Sequence, residues 1–358
     1  SLRQLRKTPG FSAAAVLVLA LSIGLNAAMF GLSYSMIFAK LPVDRPEALV
    51  QIYSHSRNEP DSFRAFSWGA WRSLAARDDA FDGVLAQKVL VAGVNEAAEG
   101  GTPRRTVSAV VSANYFKVLG TTLARGRVFT EEEARPGAET PVAIASYGLW
   151  KRAGLHPDFL GRTVRVNGRP FIIVGITPKG FMGANVLLGP EIFLPLGVFD
   201  SIENLPERTT VRELERPDRF ILTLIGRLKD GVTPDGAAPA LSAAAAEVER
   251  TFPVEYRGAD FFARRAPRMV LSNAPPQEGA VVTLAFAMLG MTGSVLLIVC
   301  LNLASMFLAR GQSRRREFAI RLALGRGRAR IVRPFVTEGL VLSVVGGAMG
   351  AGLGMLAV

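Results

Sequence analysis

The chain has 358 residues, 49% of them hydrophobic, with 42 lysines and arginines against 30 aspartates and glutamates, a formal net charge of +12. Such a basic balance points first to polyanions, either nucleic acid or acidic lipid. The lone Cys300 excludes an intrachain disulfide, and two isolated histidines, His55 and His156, leave a structural zinc site or a Cys-His nucleophile without support.

Residues 1–10 carry Arg3, Arg6 and Lys7, and residues 11–39 then read "FSAAAVLVLALSIGLNAAMFGLSYSMIFA" with no acidic or basic residue. A helix needs roughly 20 residues to cross a hydrocarbon core of about 30 Å, so this run predicts a membrane helix, with its stalk extending to residue 41. Its apolar stretch is about twice the usual core of a cleaved signal, and Ile37 stands where a cleavage site wants a small residue, so a retained anchor is expected. Ala20, Gly24 and Ala28 repeat every four residues, the small-residue spacing that lets membrane helices approach closely.

Residues 42–278 predict a mixed α+β domain. Strands are expected at 48–54, 106–111, 191–196 and 219–228, and helices at 66–86, with Trp68, Trp71, Leu74 and Ala75 on its apolar face, and at 237–253, with Leu241 and Val248 toward the core. Ser112 is expected to cap a short helix ending at Gly120. Thr130 and Glu133 stand at capping-box spacing, so the glutamates 131–133 read as a helix start rather than a catalytic cluster. Asn167-Gly168, flanked by alternating residues, predicts a β-hairpin with a type I′ turn. Residues 272–279 form a turn-rich linker.

A second uncharged run fills 279–309, and a third begins at Gly339 and includes Gly346, Gly350 and Gly354, again four apart. Between them, residues 310–334 hold Arg310, Arg314, Arg315, Arg316, Arg321, Arg326, Arg328, Arg330 and Arg333 against the single acid Glu317. Residues 41–308 are near balance, with 29 basic and 28 acidic side chains. Positive charge is therefore concentrated beside the apolar runs, which fits the positive-inside rule and anionic lipid rather than nucleic acid. From Ser313, an amphipathic helix is expected, with Phe318, Leu322 and Ile320 or Leu324 on its apolar side, closed by Gly325 and Gly327. No phosphate loop of the G-x-x-x-x-G-K-[ST] kind is present, so the chain shows no means of hydrolysing ATP and is not expected to be an enzyme.

Several stretches together resemble the MacB/FtsX-like permeases of ATP-binding-cassette (ABC) systems, in particular the duplicated orphan permease branch. They are "LRQLRKTPGFSAAAVLVLALSIGLNAAMF", "VSANYFKVLGTTLARGRVFTEEE", "VAIASYGLWKR", "FLGRTVRVNGRPFIIVGITPKGF", "RLKDGVTPDGA" and "RRREFAIRLALGRGRARIVRPFVTEGLVLSVVGGAMG". The resemblance implies an α-helical membrane protein of the cell inner membrane with an inserted extracytoplasmic domain, a MacB-type periplasmic core of two subdomains. It divides the chain into a cytoplasmic start (1–10), helix and stalk (11–41), periplasmic core (42–278), second helix (279–309), cytoplasmic coupling loop (310–334) and the start of a third helix (335–358). By position, Arg316, Glu317, Phe318, Arg321, Ala323, Leu324 and Gly325 would engage a separate cytoplasmic ABC ATPase. Implied further are a dimer or pseudo-dimer of permease halves, contact with membrane lipid, a periplasmic adaptor, and no cofactor in this chain. Because four helices per unit are typical of the family, the chain reads as a fragment of a longer protein. Two functions fit these features: a permease converting ATP-driven closure of its partner into motion of the outer domain, and a non-transporting regulator acting on an envelope enzyme or ligand.

Overall fold

The computed structural model describes residues 9–38, 43–96, 102–184, 189–203, 212–266, 273–275, 279–313 and 328–357. They belong to two compact units, one spanning Lys40–Gln277 and the other combining Ser1–Ala39 with Glu278–Val358. In chain order the main elements are α1 (Pro9–Phe38), β1 (Leu49–Ser56), β2 (Glu59–Arg64), α2 (Trp68–Ala75), β3 (Phe81–Asn95), β4 (Arg104–Val111), α3 (Tyr115–Val118), β5 (Arg125–Gly126), β6 (Val142–Ala145), α4 (Tyr147–Arg152), β7 (Thr163–Val166), β8 (Arg169–Ile176), β9 (Ile192–Pro195), α5 (Phe199–Ile202), β10 (Thr223–Leu228), α6 (Ala238–Thr251), β11 (Ala259–Arg265), α7 (Ala280–Ser313) and α8 (Arg328–Ala357).

Helices α1, α7 and α8 make the second unit. Among the described residues, Val282–Leu301 of α7 is the one helical stretch long and apolar enough to cross a membrane, and Val16–Gly31 and Gly339–Leu353 are shorter apolar stretches. Pro9 opens α1, where its missing N–H costs no hydrogen bond.

The other unit is built on a single hydrogen-bonded sheet in the order β11-β1-β10-β3-β4-β9-β6-β8-β5, with β2 paired to β1 and β7 paired to β3 and β8. Side chains alternate between the faces of a strand, and here both faces are buried. Val50, Ile52, Val84, Ala86, Val110, Ile192 and Leu194 face one core with Trp71 and Leu74 of α2, Leu149 of α4 and Leu241 and Val248 of α6. Their sequence neighbours Leu49, Leu85, Ala109, Val111 and Phe193 face a second core with Tyr115 and Phe116 of α3, Phe129 and Phe181. One sheet therefore runs through the unit with a core on each of its faces.

Several expectations shift on this scaffold. The helix foreseen over 66–86 ends at Ala75, and the chain re-enters the sheet at Phe81. A strand covered on both faces carries an unbroken apolar run, here Val84-Leu85-Ala86, which lacks a period to mark it as β. Ser67 caps α2, accepting from the Ala70 amide, and the Trp71 indole N–H donates to the Val84 carbonyl at 2.9 Å, tying helix to strand. Ser112 does not cap α3 through its side chain. Its Oγ accepts from the Ala86 amide at 3.0 Å and donates to Asn114 Oδ1 at 2.6 Å, joining the helix start to β3. Strands β2, β6 and β11 escape the sequence reading, being short or lacking a clear alternation.

Two local signals take the expected hydrogen-bond and backbone geometry. Glu133 Oε2 accepts from the Thr130 amide at 2.9 Å while Thr130 Oγ1 accepts from the Glu133 amide at 3.2 Å, a reciprocal capping box, but residues 131–134 form a turn and the expected helix does not follow. Asn167 and Gly168 have φ of 49° and 81°, as a type I′ turn requires, and β7 pairs antiparallel with β8 on either side. Asn167 also docks this hairpin: its Oδ1 accepts from the Gly93 amide at 2.8 Å, and its Nδ2 donates to the Ile202 carbonyl at 3.2 Å.

Asn167→Ala is expected to destabilise the chain by about 1–2 kcal/mol, since it strains the turn and removes both side-chain bonds. Asn167→Gly, which keeps the left-handed backbone, should lose less, and thermal unfolding of the purified chain measures both. Hydrogen bonding from Arg127, reinforced by the Thr130 amide, holds the Glu133 carboxyl below the ordinary glutamate value of 4.5 against the opposing effect of burial. A lowered folded pKa stabilises above the ordinary value and loses that contribution as pH falls through the lowered one. The stability gap between wild type and Glu133→Gln should therefore be largest at neutral pH, roughly 1 kcal/mol, and shrink below pH 4.5.

Candidate functional site

Arg316, Glu317, Phe318, Arg321, Ala323, Leu324 and Gly325, the residues assigned by resemblance to ATPase coupling, lie outside the described residues. The flanking helices reach into the Arg-rich segment: Ser313, expected to start a helix, is the last residue of α7, and α8 already begins at Arg328.

The small residues of α1 and α8 sit against one another. A Cβ at Gly24 would stand 3.2 Å from the Gly350 carbonyl oxygen, and one at Gly350 would stand 2.8 Å from both the Ala20 carbonyl oxygen and Ile23 Cβ. At Gly346 it would meet Leu19 Cβ at 2.8 Å. Ala20 is buried and Ala28 half-buried, while Gly354 lies in the last turns of α8. Backbones this close leave no room for larger side chains and gain dispersion contacts along their length.

A polar bond joins α1 to α7, and the sequence reading passed over it. Asn26 Nδ2 donates to the Thr292 carbonyl at 3.1 Å as well as to the Ser22 carbonyl of its own helix at 3.1 Å. Thr292 is buried, and its Oγ1 donates back to Met288 and Leu289. In an apolar medium a side-chain amide has few alternatives to such a partner. The available signal was a carboxamide within an otherwise uncharged run.

In the sheet unit, the ends of the chain converge. β1 and β11 pair antiparallel, Val50 opposite Arg265, and the Ala266 amide donates to the Leu49 carbonyl at 2.9 Å. Arg227 of β10 stands opposite Leu49 in the register and is 5% exposed. Its Nε donates to the Val118 carbonyl at 2.6 Å and its Nη2 to the Asp44 carbonyl at 2.7 Å. The guanidinium thereby clamps the segment leading into β1 onto the end of α3. Burial, together with the neighbouring Arg45 charge, pulls its pKa below the ordinary arginine value. Gly120, with φ of 66°, completes the fit, since a Cβ there would stand 2.6 Å from Asp44 Cβ. Arg45, itself at φ of 41°, ion-pairs with Asp230 at 2.6 Å on the surface.

The histidines are apart. His55 Nε2 lies 3.7 Å from Asp260 Oδ2 beside the rings of Phe63 and Phe262, and exposed His156 accepts from the Trp150 indole through its carbonyl. Among the described residues no group of three histidine, cysteine, aspartate or glutamate side chains is placed to hold a metal. Glu191 pairs with Arg104 and Arg152, and Glu203 with Lys88 and Arg219, bridging β4 and α4 in the first case and β3 and the β10 approach in the second.

Comparison with known proteins bears on the whole chain. Residues 12–244 match the MacB-like periplasmic core domain and residues 289–358 the FtsX-like permease C-terminal family. The macrolide export ATP-binding/permease protein MacB of Salmonella paratyphi A is 25% identical over 251 residues, 68% of this chain and 34% of that protein. The protein of the same description from Burkholderia pseudomallei is 23% identical over 247 residues, with the same shares covered. The chain thus spans about a third of the length of these relatives. Among solved structures, a permease-protein domain from Porphyromonas gingivalis is 14% identical with a TM-score of 0.46, covering 66% of this chain and 96% of that one. The periplasmic region of MacB from Actinobacillus actinomycetemcomitans is 15% identical with a TM-score of 0.42, covering 61% and 88%. The chain belongs to the MacB/FtsX-like permeases, with a MacB-like periplasmic core domain followed by the FtsX-like permease C-terminal family's sequence.

Proposed function

We propose that this chain is the permease component of an ABC-type transporter of the inner membrane, coupling a separate cytoplasmic ATPase to motion of a periplasmic domain that expels or extracts cargo. The observation that carries this reading is the joint presence, on one chain, of a MacB-like core domain and an FtsX-like permease sequence flanking the Arg-rich segment. Transmission of force needs stiff connections, and two features support it. One is the close glycine packing of α1 on α8. The other is the Arg227 clamp on the segment that leads into β1.

In this account Arg316, Glu317, Phe318, Arg321, Ala323, Leu324 and Gly325 engage the ATPase, and the arginines around them hold the segment at the anionic inner leaflet. The name of the relatives, macrolide export ATP-binding/permease protein, makes export the direction to test first.

The test is reconstitution with the partner ATPase. Leu322→Asp with Leu324→Asp is expected to abolish stimulation of ATP turnover by the permease and weaken the complex at least tenfold. Unchanged affinity and turnover would overturn the coupling role. Gly350→Leu, which cannot fit against Ala20 and Ile23, should lower the thermal midpoint and reduce stimulation together.

A further inference from the structure

Beyond the ends of the parallel strands β4 and β9 the sheet unit has a cleft of about 320 Å³, lined in part by Trp68, Trp71, Arg72, Asn114, Glu131 and Arg135. The crevice past the carboxyl ends of parallel strands is where α/β sheets commonly take ligands, and this volume lies at the small end of the usual range for such sites. Asn114 follows the end of β4. After β9, Gly197 packs beneath the opposite wall, where a Cβ would meet the Arg135 carbonyl oxygen at 2.6 Å.

The two indoles of the cleft are held differently. Trp71 is buried and pinned by its bond to the Val84 carbonyl, a carbonyl that also accepts from Asn114 Nδ2 at 3.1 Å. Trp68 is half-buried, its indole N–H has no acceptor, and the Arg72 guanidinium lies 5.1 Å from its ring centre. One aromatic wall is thus held by a hydrogen bond and the other by packing against the core.

Some arginines of the unit are paired with carboxylates, as Arg77, Arg104, Arg127, Arg162 and Arg216 are. Arg72 and Arg135 are both exposed and, among the described residues, neither has a carboxylate within ion-pair distance, Glu131 included. The Arg135 guanidinium and that of Arg72, which lies over the Trp68 ring, both lack a carboxylate partner and, beside flat apolar walls, suit a ligand with an aromatic body and an anionic group, which an arginine binds through paired N–H donors.

We infer that this cleft is a binding site for small aromatic anions, with the rings against Trp68 and Trp71 and the anionic group on Arg72 and Arg135. The site goes beyond the permease reading, and its binding is measured without any ATPase, so either can fail alone.

The experiment is calorimetric titration of naphthalene-2-sulfonate into the full chain in lipid nanodiscs. Saturable binding is expected, weakened about tenfold by Arg72→Gln or Arg135→Gln, the loss of one hydrogen bond to a charged group. Trp68→Ala should weaken it similarly, and Glu131→Gln should strengthen it. The arginine side chains are exposed, so their variants should keep the wild-type thermal midpoint, which separates lost binding from lost folding. Methanesulfonate, lacking the ring, and 2-naphthylmethanol, lacking the charge, should each bind at least tenfold more weakly. The assignment is overturned if the double variant Arg72→Gln/Arg135→Gln binds as wild type does, if 2-naphthylmethylammonium binds as tightly as the sulfonate, or if no saturable binding is seen.

Discussion

Burial of the sheet on both faces is the constraint from which the rest of the Lys40–Gln277 unit follows. A sheet wetted on one side can display polar residues at every second position, whereas this one cannot. Strands β6 and β9 are buried at every residue, and the helices divide between the faces, α2, α4 and α6 on one and α3 on the other. Some of the polar groups that fall inside this arrangement are paired, through the bonds from Trp71 and Asn114 to the Val84 carbonyl and from Tyr115 to Gln87. The cleft of Trp68 and Trp71 is a by-product of the same layering, since it opens where α2, the start of α3 and the 131–135 turn meet beyond the strand ends.

The helical unit obeys a different rule. Where the surroundings are apolar, hydrophobicity gives one helix little reason to prefer another helix over lipid, so shape and hydrogen bonds decide. Glycine at 24, 346 and 350 supplies the shape, and Asn26 supplies the hydrogen bond.

What could be read from the sequence follows from how local each signal is. The Asn167-Gly168 hairpin and the Thr130–Glu133 box are written within a few residues, and both take the expected geometry. Leu241 and Val248 mark the buried side of α6 because a helix exposed on its other side keeps its period. The strand β3 was hidden because burial on both faces erases alternation at Val84-Leu85-Ala86. Ser112 satisfied the pattern of a cap, but a long-range partner, the Ala86 amide, holds its hydroxyl. Arg227 was harder still: a cation in the apolar stretch "TLIGRL" announces that something must satisfy it, yet its acceptors are carbonyls of Asp44 and Val118, distant in sequence and silent in composition. The cleft, likewise, joins residues of three separate segments.

The grip of Arg227 falls on main-chain oxygens rather than on side chains. Every amino acid has such an oxygen, so these two hydrogen bonds ask nothing of the side chains at 44 and 118, although Val118 is also held in the second core. What the fastening does require is the guanidinium at 227 and the absence of a side chain at Gly120 that would crowd the backbone it holds.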